Sequence, residues 1–595
     1  MAFLPINAKE MQKNGITKPD FVLITGDAYL DHPSIGIAII SRVLETNGFS
    51  VVILAQPDIN DDNVFKQFGE PLYGFLISSG NIDSMVSHYT VAKKRRTFDY
   101  YTPNGIIGKR PDRALTIYSQ KVRRLFPKST IIIGGLEASL RRLTHYDYWQ
   151  NTLKKSVLID SKANLLVYGM ADRVITEIAW ALKSGLKIED LIYIKNTCWL
   201  TKDQALLPTD KIYLKSFAAT LKNKNYFAEN FRIISENNDY LNGKPLIEEY
   251  DDLFLIQNPP DEPLTQAEID AVYELPYERE VHPFFTSIGP VKALEEVKFS
   301  LISSRGCFGN CNFCALAAHQ GRTIQSRSKQ SLIKEGTTIT SLKDFKGYIH
   351  DLGGPTANFY QPACEKQLKK GLCRNKNCLG YKKCTNLNVS HEKYLDVLKA
   401  LRSLAKVKKV FIRSGIRFDY LLADKDDEFF HELVQNHISG QLKVAPEHIS
   451  NRVLEQMNKP AKEVYFKFSE KYNKLNQCYQ KKQFLVPYFM SSHPGSTLED
   501  AIELALYLKK INYHPEQVQD FYPTPFTAST CMFYTNINPF TNETVYVAKS
   551  PHEKAMQRAL IQFRNPKNHK LVKEALIKAK RTDLIGRGPN CLIKP

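Results

Sequence analysis

The sequence contains no run of eighteen or more apolar residues, and its first twenty residues carry no basic stretch that leads into an apolar one. A membrane-spanning helix needs about 20 apolar residues, and a secretion signal needs a basic segment followed by an apolar one. We therefore expect a cytoplasmic protein that does not contact a membrane.

Acidic residues are scarce relative to basic ones. Asp and Glu total 62 against 81 Lys and Arg, which gives a formal net charge of +19. This excess favours an anionic partner, with RNA or an acidic substrate as the candidates. A lysine-rich composition without any nucleic-acid role explains the totals equally well, so the charge alone does not choose between the two.

The cysteines do not suggest disulfides. There are eleven, an odd number, and seven of them lie between Cys307 and Cys384. In a long chain without a secretion signal, crowded thiols indicate metal binding.

The first two hundred residues alternate apolar runs with glycine-bearing turns and helical patterns. The runs are "FVLIT", "FSVVILAQ", "YGFLISSG", "STIIIGG" and "ANLLVYG". This alternation predicts an α/β fold that begins with a Rossmann-like doubly wound domain over residues 1–200.

A long excursion at residues 80–113 interrupts that domain and carries interleaved basic and aromatic residues. Such a loop suits phosphate contact with base stacking, or it is a solvated loop whose rings pack on the sheet edge. Its members are Lys93, Lys94, Arg95, Arg96, Phe98, Tyr100 and Tyr101.

Three further segments complete the predicted organisation. Residues 201–292 read as a proline-punctuated connector, because periodicity weakens there. Six strand-then-helix patterns over 293–525 predict a partial (β/α) barrel with a cysteine-rich insertion at 364–384. Residues 526–595 are predicted as a basic C-terminal extension.

Cys307, Cys311 and Cys314 follow the first predicted barrel strand in the segment "GCFGNCNFC". A structural zinc site uses four ligands, commonly as CxxC pairs, so this spacing fits zinc poorly. A [4Fe-4S] cluster held by three thiolates leaves one iron open to a cofactor or substrate. Three buried structural cysteines are the alternative.

The segment Cys307-Phe-Gly-Asn-Cys311-Asn-Phe313-Cys314 resembles the CxxxCx-aromatic-C signature of radical S-adenosylmethionine enzymes. Much of the chain is similar to the YgiQ-type branch of that superfamily, whose reaction is uncharacterised. The similar segments are "GDAYLDHPSIG", "IIIGGLEASLRRLTHYDYW", "PYEREVHPFF", "SSRGCFGNCNFC", "DLGGPTANFY", "APEH", "SSHPGS" and "DFYPTP".

The resemblance implies a [4Fe-4S] cluster that cleaves S-adenosylmethionine reductively and starts radical chemistry on an unknown substrate, RNA or another macromolecule being a candidate. It also implies an electron donor such as flavodoxin or ferredoxin. A non-catalytic iron-sulfur protein that binds RNA or assists assembly is the alternative. The sequence predicts no catalytic base or hydrogen-atom donor.

The resemblance also implies a cofactor-binding set. Phe313 would shape the site beside the cluster, and the glycine pair matches the strand edge that contacts the cofactor's amino group. An arginine at a strand end suits the cofactor carboxylate, and a glutamate suits ribose hydroxyls. The candidate residues are Phe313, Gly353, Gly354, Arg413, Ser414 and Glu447.

Four more thiols in the insertion form a candidate second metal site. Four thiolates suffice for zinc or for an auxiliary iron-sulfur cluster, and the spacing decides for neither. The residues are Cys364, Cys373, Cys378 and Cys384.

The N-terminal sheet resembles in outline the cobalamin-binding domain found upstream of many radical S-adenosylmethionine barrels. In that domain's ligand pattern, Asp stands two residues before His and Gly three after. Here Asp31 abuts His32, and Gly36 comes four residues later. We therefore expect no cobalamin.

Overall fold

The computed structural model describes residues 2–374, 376–516 and 518–595 and shows a mixed α/β protein with one large sheet. Nine strands form this sheet in the order β7-β8-β9-β6-β5-β4-β3-β1-β2. They are β1 Phe21–Thr25, β2 Val51–Ala55, β3 Gly74–Ile77, β4 Ile131–Ile133, β5 Leu165–Val167, β6 Thr197–Thr201, β7 Ile212–Tyr213, β8 Leu246–Tyr250 and β9 Leu253–Gln257.

The strands β2-β1-β3-β4-β5 are all parallel to one another. Their residues are buried almost throughout, as continuous apolar runs covered by helices on both faces should be. The order reverses between β1 and β3, and α/β sheets bind ligands beyond the carboxyl ends of their strands at such a point.

Helices accompany this sheet and the chain that follows it. They are Ala8–Lys13, Gly36–Thr46, Asp62–Lys66, Ser84–His88, Ala114–Leu125, Gly135–Leu140, Val157–Ser161, Asp172–Lys183, Phe217–Lys222, Lys224–Glu236, Gln266–Tyr273, Pro283–Ile288 and Lys292–Val297. Short 3-10 turns occur at Pro103–Gly105, Ile188–Asp190, Gln204–Leu206, Pro566–Asn568 and Thr582–Leu584.

The segment predicted as a connector differs from that expectation. Within residues 201–292, strands β7, β8 and β9 extend the first sheet, with β9 antiparallel to both β6 and β8. The sequence pattern is weak there because β7 is only two residues long and partly exposed, so it lacks a buried apolar run.

A second series of strands follows at residue 300. The strands of this series pair in parallel: β10 with β12, β11 with β13, β14 with β15, and β15 with β16. The strands are β10 Ser300–Ile302, β11 Tyr348–Ile349, β12 Asp351–Gly353, β13 Lys409–Val410, β14 Gln441–Glu447, β15 Phe484–Ser491 and β16 Gln519–Asp520. Each of the six strand-then-helix patterns from which the barrel was predicted contains a strand.

Helices alternate with these strands and continue to the last residues. They are Leu316–Gln320, Lys329–Ser341, Glu365–Lys370, Glu392–Arg402, Phe418–Leu422, Glu428–Glu432, Asn451–Met457, Lys462–Cys478, Leu498–Lys510, Ala528–Thr535, Pro551–Ile561 and His569–Lys578, with a π turn at Leu433–His437. Short antiparallel ladders pair Leu30–Asp31 with Glu280–Val281, His145–Asp147 with Thr152–Lys154, and Ser304–Arg305 with Gln325–Ser326.

Buried ion pairs join the two strand series. Arg305, just before the cysteine loop, donates to both carboxylate oxygens of Asp172, at 2.7 and 3.1 Å. Glu335 lies between Arg279 and Arg327 and pairs with both. Breaking such a pair leaves an uncompensated buried charge, so these contacts fix how the first sheet meets the cysteine loop.

The C-terminal segment packs into the molecule. Helix Pro551–Ile561 contacts helix Leu498–Lys510 through a shared apolar core. The amide of Ser529 donates to the Asn312 carbonyl at 2.8 Å, which brings this segment against the cysteine loop. In the part of the chain described, no helix is long and apolar enough to cross a membrane.

Candidate metal and cofactor site

The loop that carries the three cysteines begins with a tight turn at Gly306. Its φ is +88°, and a Cβ there would lie 2.1 Å from the Thr323 carbonyl oxygen. Only glycine fits this position without moving backbone. The Cys307 amide then donates to the Gly321 carbonyl at 3.0 Å, which closes the loop around the three thiols.

The far side of the loop is held by the turn after helix Asn451–Met457. The Asn312 amide donates to the Met457 carbonyl at 3.0 Å, and the Asn458 side-chain amide donates to the Asn310 carbonyl at 2.8 Å. These bonds come from residues nearly 150 positions away in sequence. The thiols are therefore positioned by the folded structure as well as by their own spacing.

All three thiols line one cavity of about 370 Å³. Cys307 is buried, and Cys311 and Cys314 are half-buried. Burial raises the pKa of Cys307 and raises that of Cys314 to about 12, with the neighbouring Cys311 adding to both effects. Metal binding must displace these protons, because thiolates are the ligands.

The thiols are not gathered around a single ion. Among the described residues, no three His, Cys, Asp or Glu side chains are close enough to hold one metal ion. In an iron-sulfur cluster each thiolate binds a different iron, so its sulfurs stand farther apart than zinc ligands do. Three thiols around one cavity fit a cluster that lacks a fourth protein ligand.

Arg417 supplies positive charge directly at this site. Its Nη1 donates to Cys311 Sγ at 3.3 Å, and its Nε and Nη2 donate to the Asp419 carboxylate at 2.8 and 2.7 Å. Both side chains are buried. Asp419 and the thiols raise the Arg417 pKa despite the opposing effect of burial, so the guanidinium stays charged. Hydrogen bonds to cluster sulfur tune its reduction potential.

The structure brings four of the six predicted cofactor residues to the same cavity. Besides the cysteines, its lining includes Phe313, Arg413, Ser414 and Glu447. Arg413 is exposed at the mouth, whereas Phe313 is half-buried with its ring edge-on to His493 at 6.0 Å. His493 itself is buried and bonded to Ser529 Oγ at 2.6 Å, which fits a structural role.

Gly353 and Gly354 lie at the border of the cavity, on the adjoining side of Pro355. A Cβ on Gly353 would lie 2.4 Å from the side chains of Asp351 and Ser414, so close approach explains this glycine. The Gly353 carbonyl already accepts from the amide and hydroxyl of Ser303, at 2.7 and 3.0 Å. The assignment of both glycines to the cofactor amino group stays a prediction.

Glu447 is buried and has φ of +70°, at an irregularity in the pairing of β14 with β15. Residues in that region of φ other than glycine are strained and concentrate at functional sites. Burial raises the pKa of Glu447, with Lys459 and Arg417 acting in the opposite direction. Its carboxyl is therefore protonated more readily than that of an exposed glutamate.

Sequence reasoning missed Arg417, Lys459 and Thr356, which also line the cavity. Arg417 contacts a thiol 106 positions away, so no local sequence spacing predicts that it belongs to the site. The only local signal is the Arg-x-Asp pattern with Asp419, whose charges pair across two residues. Charged side chains are rarely buried unless they are paired, so the Arg-x-Asp pair in the segment "GIRFD" is the signal that could have pointed to Arg417.

A second, larger cavity of about 530 Å³ adjoins the first. It lies at the carboxyl ends of β1, β3, β4 and β5, between the first sheet and the start of the second strand series. Its lining is mainly apolar, with glycine loops from the sheet on one side and Gly353, Gly354 and Pro355 on the other. The two cavities share Pro355, Ser414 and Leu316.

His32 does not line either cavity. It is buried, its Nδ1 accepts from the Ser34 amide at 3.1 Å, and its Nε2 faces Arg279 Nη1 at 3.4 Å. Burial and Arg279 lower its pKa, so it stays neutral. Its position is that of a structural residue near the start of helix Gly36–Thr46.

Comparisons with known proteins extend over the whole chain. The Radical SAM N-terminal family matches residues 3–300, and a domain of unknown function, DUF3362, matches residues 516–595. A UPF0313 protein of Clostridium botulinum (strain 657 / Type Ba4) is 55% identical over 593 residues, covering 100% of this chain and 93% of that protein. The chain belongs to the UPF0313 family, the YgiQ-type radical SAM proteins. A UPF0313 protein of Clostridium perfringens (strain SM101 / Type A) is 53% identical over 592 residues, covering 100% and 89%.

Solved structures with a similar outline are radical SAM enzymes. The methyltransferase TsrM from Kitasatospora setae, with cobalamin and a [4Fe-4S] cluster bound, aligns over 94% of this UPF0313 chain and 100% of its own, at TM-score 0.48 and 12% identity. The cobalamin-dependent radical enzyme OxsB, with aqua-cobalamin bound, aligns over 95% and 62%, at TM-score 0.46 and 12% identity. We draw no chemistry for this chain from likeness of that degree.

The expectation that cobalamin is absent was wrong as an exclusion. Enzymes of similar outline are described with cobalamin and a [4Fe-4S] cluster together. That expectation rested on one ligand pattern around His32, and a cavity can hold a large ligand through shape and apolar contact without that residue.

Proposed function

We propose that this UPF0313 protein is a radical S-adenosylmethionine enzyme with its [4Fe-4S] cluster on Cys307, Cys311 and Cys314. The observation that carries the proposal is that three thiols and a buried arginine meet at one cavity, whose lining provides no fourth thiol. When bound there, the cluster supplies one electron that cleaves a carbon-sulfur bond of S-adenosylmethionine to give methionine and a 5'-deoxyadenosyl radical.

The residues around the cluster are suited to hold S-adenosylmethionine. Arg413 at the cavity mouth can pair with the cofactor carboxylate, and Glu447 can bind ribose hydroxyls. The Gly353 carbonyl already accepts two hydrogen bonds from Ser303. The Gly354 carbonyl is therefore better placed to accept from the cofactor's amino group. Phe313 closes the wall beside the last cysteine and limits water near the reacting bond.

Turnover of the cofactor tests this proposal. Anaerobically reconstituted protein, given dithionite and S-adenosylmethionine, should form methionine and 5'-deoxyadenosine in equal amounts, measured by mass spectrometry. Flavodoxin or ferredoxin should replace dithionite as electron donor. If an intact cluster binds the cofactor yet no condition, cell extract and RNA included, gives cleavage, the protein is a non-catalytic iron-sulfur protein instead.

We place cobalamin as the candidate ligand of the larger cavity. The cavity is broad, largely apolar, floored by glycine turns at the carboxyl edge of a parallel sheet, and open to the cluster cavity. Protein equilibrated with hydroxocobalamin and desalted should retain about one equivalent by its visible absorbance. The variant Ile37→Trp, which narrows the cavity, should retain less, whereas exposed Ile106→Trp should match the parent protein. Failure of the parent protein to retain cobalamin would remove this candidate.

RNA is the substrate class that the basic loop favours. Lys94 and Arg95 are exposed, and the rings of Phe98 and Tyr100 meet edge to face at 5.1 Å with both partly in solvent. This arrangement offers phosphate contact beside aromatic surface. The Lys93 ammonium instead lies 5.0 Å from the centre of the Tyr148 ring. For this part of the loop, the contact agrees with the alternative of a loop without an RNA-binding role.

The salt dependence of RNA binding separates the two readings. The double variant Lys94→Ala/Arg95→Ala should reduce the slope of log affinity against log salt by about two, since each lost phosphate contact removes about one. Lys128→Ala, at another exposed position, serves as the control. Equal slopes for all three proteins, with no binding at physiological salt, would mean that the charge is only compositional.

A further inference from the structure

The insertion that carries the last four crowded cysteines is a closed loop beside the cluster loop. Its base is joined by a hydrogen bond from the Asn388 amide to the Ala363 carbonyl at 2.9 Å. Within it, the Cys384 amide donates to the Cys378 carbonyl at 3.1 Å. Asn310, between the first two cluster cysteines, donates its side-chain amide to Asn377 at 2.8 Å. The two cysteine loops are thus bonded directly to each other.

The four thiols of this loop converge. Cys378 lies within electrostatic range of the other three, Cys364, Cys373 and Cys384. All four are half-buried and free. Cys378 packs on the apolar cluster that also contains Cys307, in which the rings of Phe308 and Phe359 stack at 3.9 Å. The second group of thiols and the first therefore share one wall.

Like the first group, this second group forms no single-ion site among the described residues. A tetrahedral zinc with bonds of about 2.3 Å needs its sulfurs about 3.8 Å apart. In the described part of the chain no three potential ligands meet such a requirement, and the same holds for Cys307, Cys311 and Cys314. In an iron-sulfur cluster the irons are bound by different thiolates, so the thiolate sulfurs need not lie within reach of one ion.

Arg322 provides an independent sign of an anionic occupant. Its Nε is buried and has no hydrogen-bond partner among the described residues. The guanidinium lies within electrostatic range of Cys378, Cys373 and Cys307, and of the Asp239 carboxylate. A buried cationic donor left without a partner is costly, so a negatively charged group with acceptor sulfurs would satisfy it.

The surface of the insertion is strongly basic, which also favours an anionic group within it. Residues 364–384 contain seven basic residues and one acidic residue, Glu365, and all seven basic side chains are exposed. Four thiolates with their iron and sulfide are anionic, so surrounding cations stabilise them. The basic residues are Lys366, Lys369, Lys370, Arg374, Lys376, Lys382 and Lys383.

We propose that Cys364, Cys373, Cys378 and Cys384 hold a second iron-sulfur cluster beside Arg322 and separate from the cluster on Cys307, Cys311 and Cys314. Four protein thiolates close this cluster, so it has no open iron for S-adenosylmethionine. Its role would be electron transfer or support of the active-site wall. The proposal goes beyond the proposed function and stands or falls separately from it.

Iron and sulfide analysis of two complementary variants tests this second cluster. The triple variant Cys307→Ala/Cys311→Ala/Cys314→Ala, reconstituted anaerobically, should still hold about two to four iron atoms per chain with matching sulfide. The variant Cys378→Ser should lose that iron and keep the iron of the first cluster, as Mössbauer spectra will show. Exposed Cys478→Ser is the matched control and should keep both sets.

Three results would overturn the proposal. The triple variant could contain no iron above the background of protein lacking all seven cysteines. Either loop variant could hold one equivalent of zinc in place of iron and sulfide. Cys378→Ser could fold and keep the full iron content of the parent protein. If Cys378→Ser does not fold, the iron content of the triple variant still decides the question.

Discussion

Replacing Cys311 by alanine is expected to abolish S-adenosylmethionine cleavage and to remove the iron of the first cluster. Each thiolate binds one iron of the [4Fe-4S] cluster. The two thiolates that remain in the variant are too few to hold the cluster against oxidation and chelation. The loss should be complete to background in 5'-deoxyadenosine formation. Methionine and 5'-deoxyadenosine are measured beside iron content, so loss of turnover can be traced to loss of cluster.

The control for this variant is Cys478→Ala, because Cys478 is exposed and outside both cysteine groups. It should retain parent activity and iron content. If Cys311→Ala still formed 5'-deoxyadenosine at a rate near that of the parent protein, the assignment of the three cysteines to an active-site cluster would be wrong.

Replacing Arg417 by methionine is expected to cost about 3–5 kcal/mol of stability, the penalty of leaving one member of a buried ion pair without its partner. Asp419 would keep a buried carboxylate that now accepts from no guanidinium. The same change removes the hydrogen bond to Cys311 Sγ, so the cluster's reduction potential should become more negative. Urea unfolding of the cluster-free protein and a redox titration of the reconstituted protein measure the two effects.

The double variant Arg417→Met/Asp419→Leu separates these effects. Removing both charges should restore much of the stability, because an apolar pair of similar size can replace a buried ion pair. The shifted reduction potential should persist, since the bond to Cys311 is still absent. A single variant with stability within about 1 kcal/mol of the parent protein and an unchanged potential would contradict the role given to Arg417.

The parts of the fold that sequence predicted are those with strong local signals. The five parallel strands are buried apolar runs that stand between turns, and the cysteine loop is defined by the spacing of Cys307, Cys311 and Cys314. Strand β7 escaped because it is only two residues long and half-exposed, and β8 because its two adjacent glutamates interrupt the apolar run. Domain boundaries at residues 200, 292 and 525 stay predictions.

The residues of the candidate site also divide into those that the sequence indicates and those that only tertiary contacts bring to the site. Phe313, Arg413, Ser414 and Glu447, which the family resemblance implied, line the cluster cavity, and their cofactor roles stay predictions. Arg417 reaches Cys311 from 106 positions away, so its role depends on a tertiary contact that no local spacing encodes.

The most direct test of the central claim is whether S-adenosylmethionine binds the open iron of the first cluster. Reduced, reconstituted protein should be mixed with S-adenosylmethionine labelled with ¹⁷O in the carboxylate or ¹⁵N in the amine and studied by electron-nuclear double resonance. We predict hyperfine coupling of both labels to the cluster, and its loss in Cys311→Ala. An intact, reduced cluster with the cofactor bound and no coupling from either label would contradict the account.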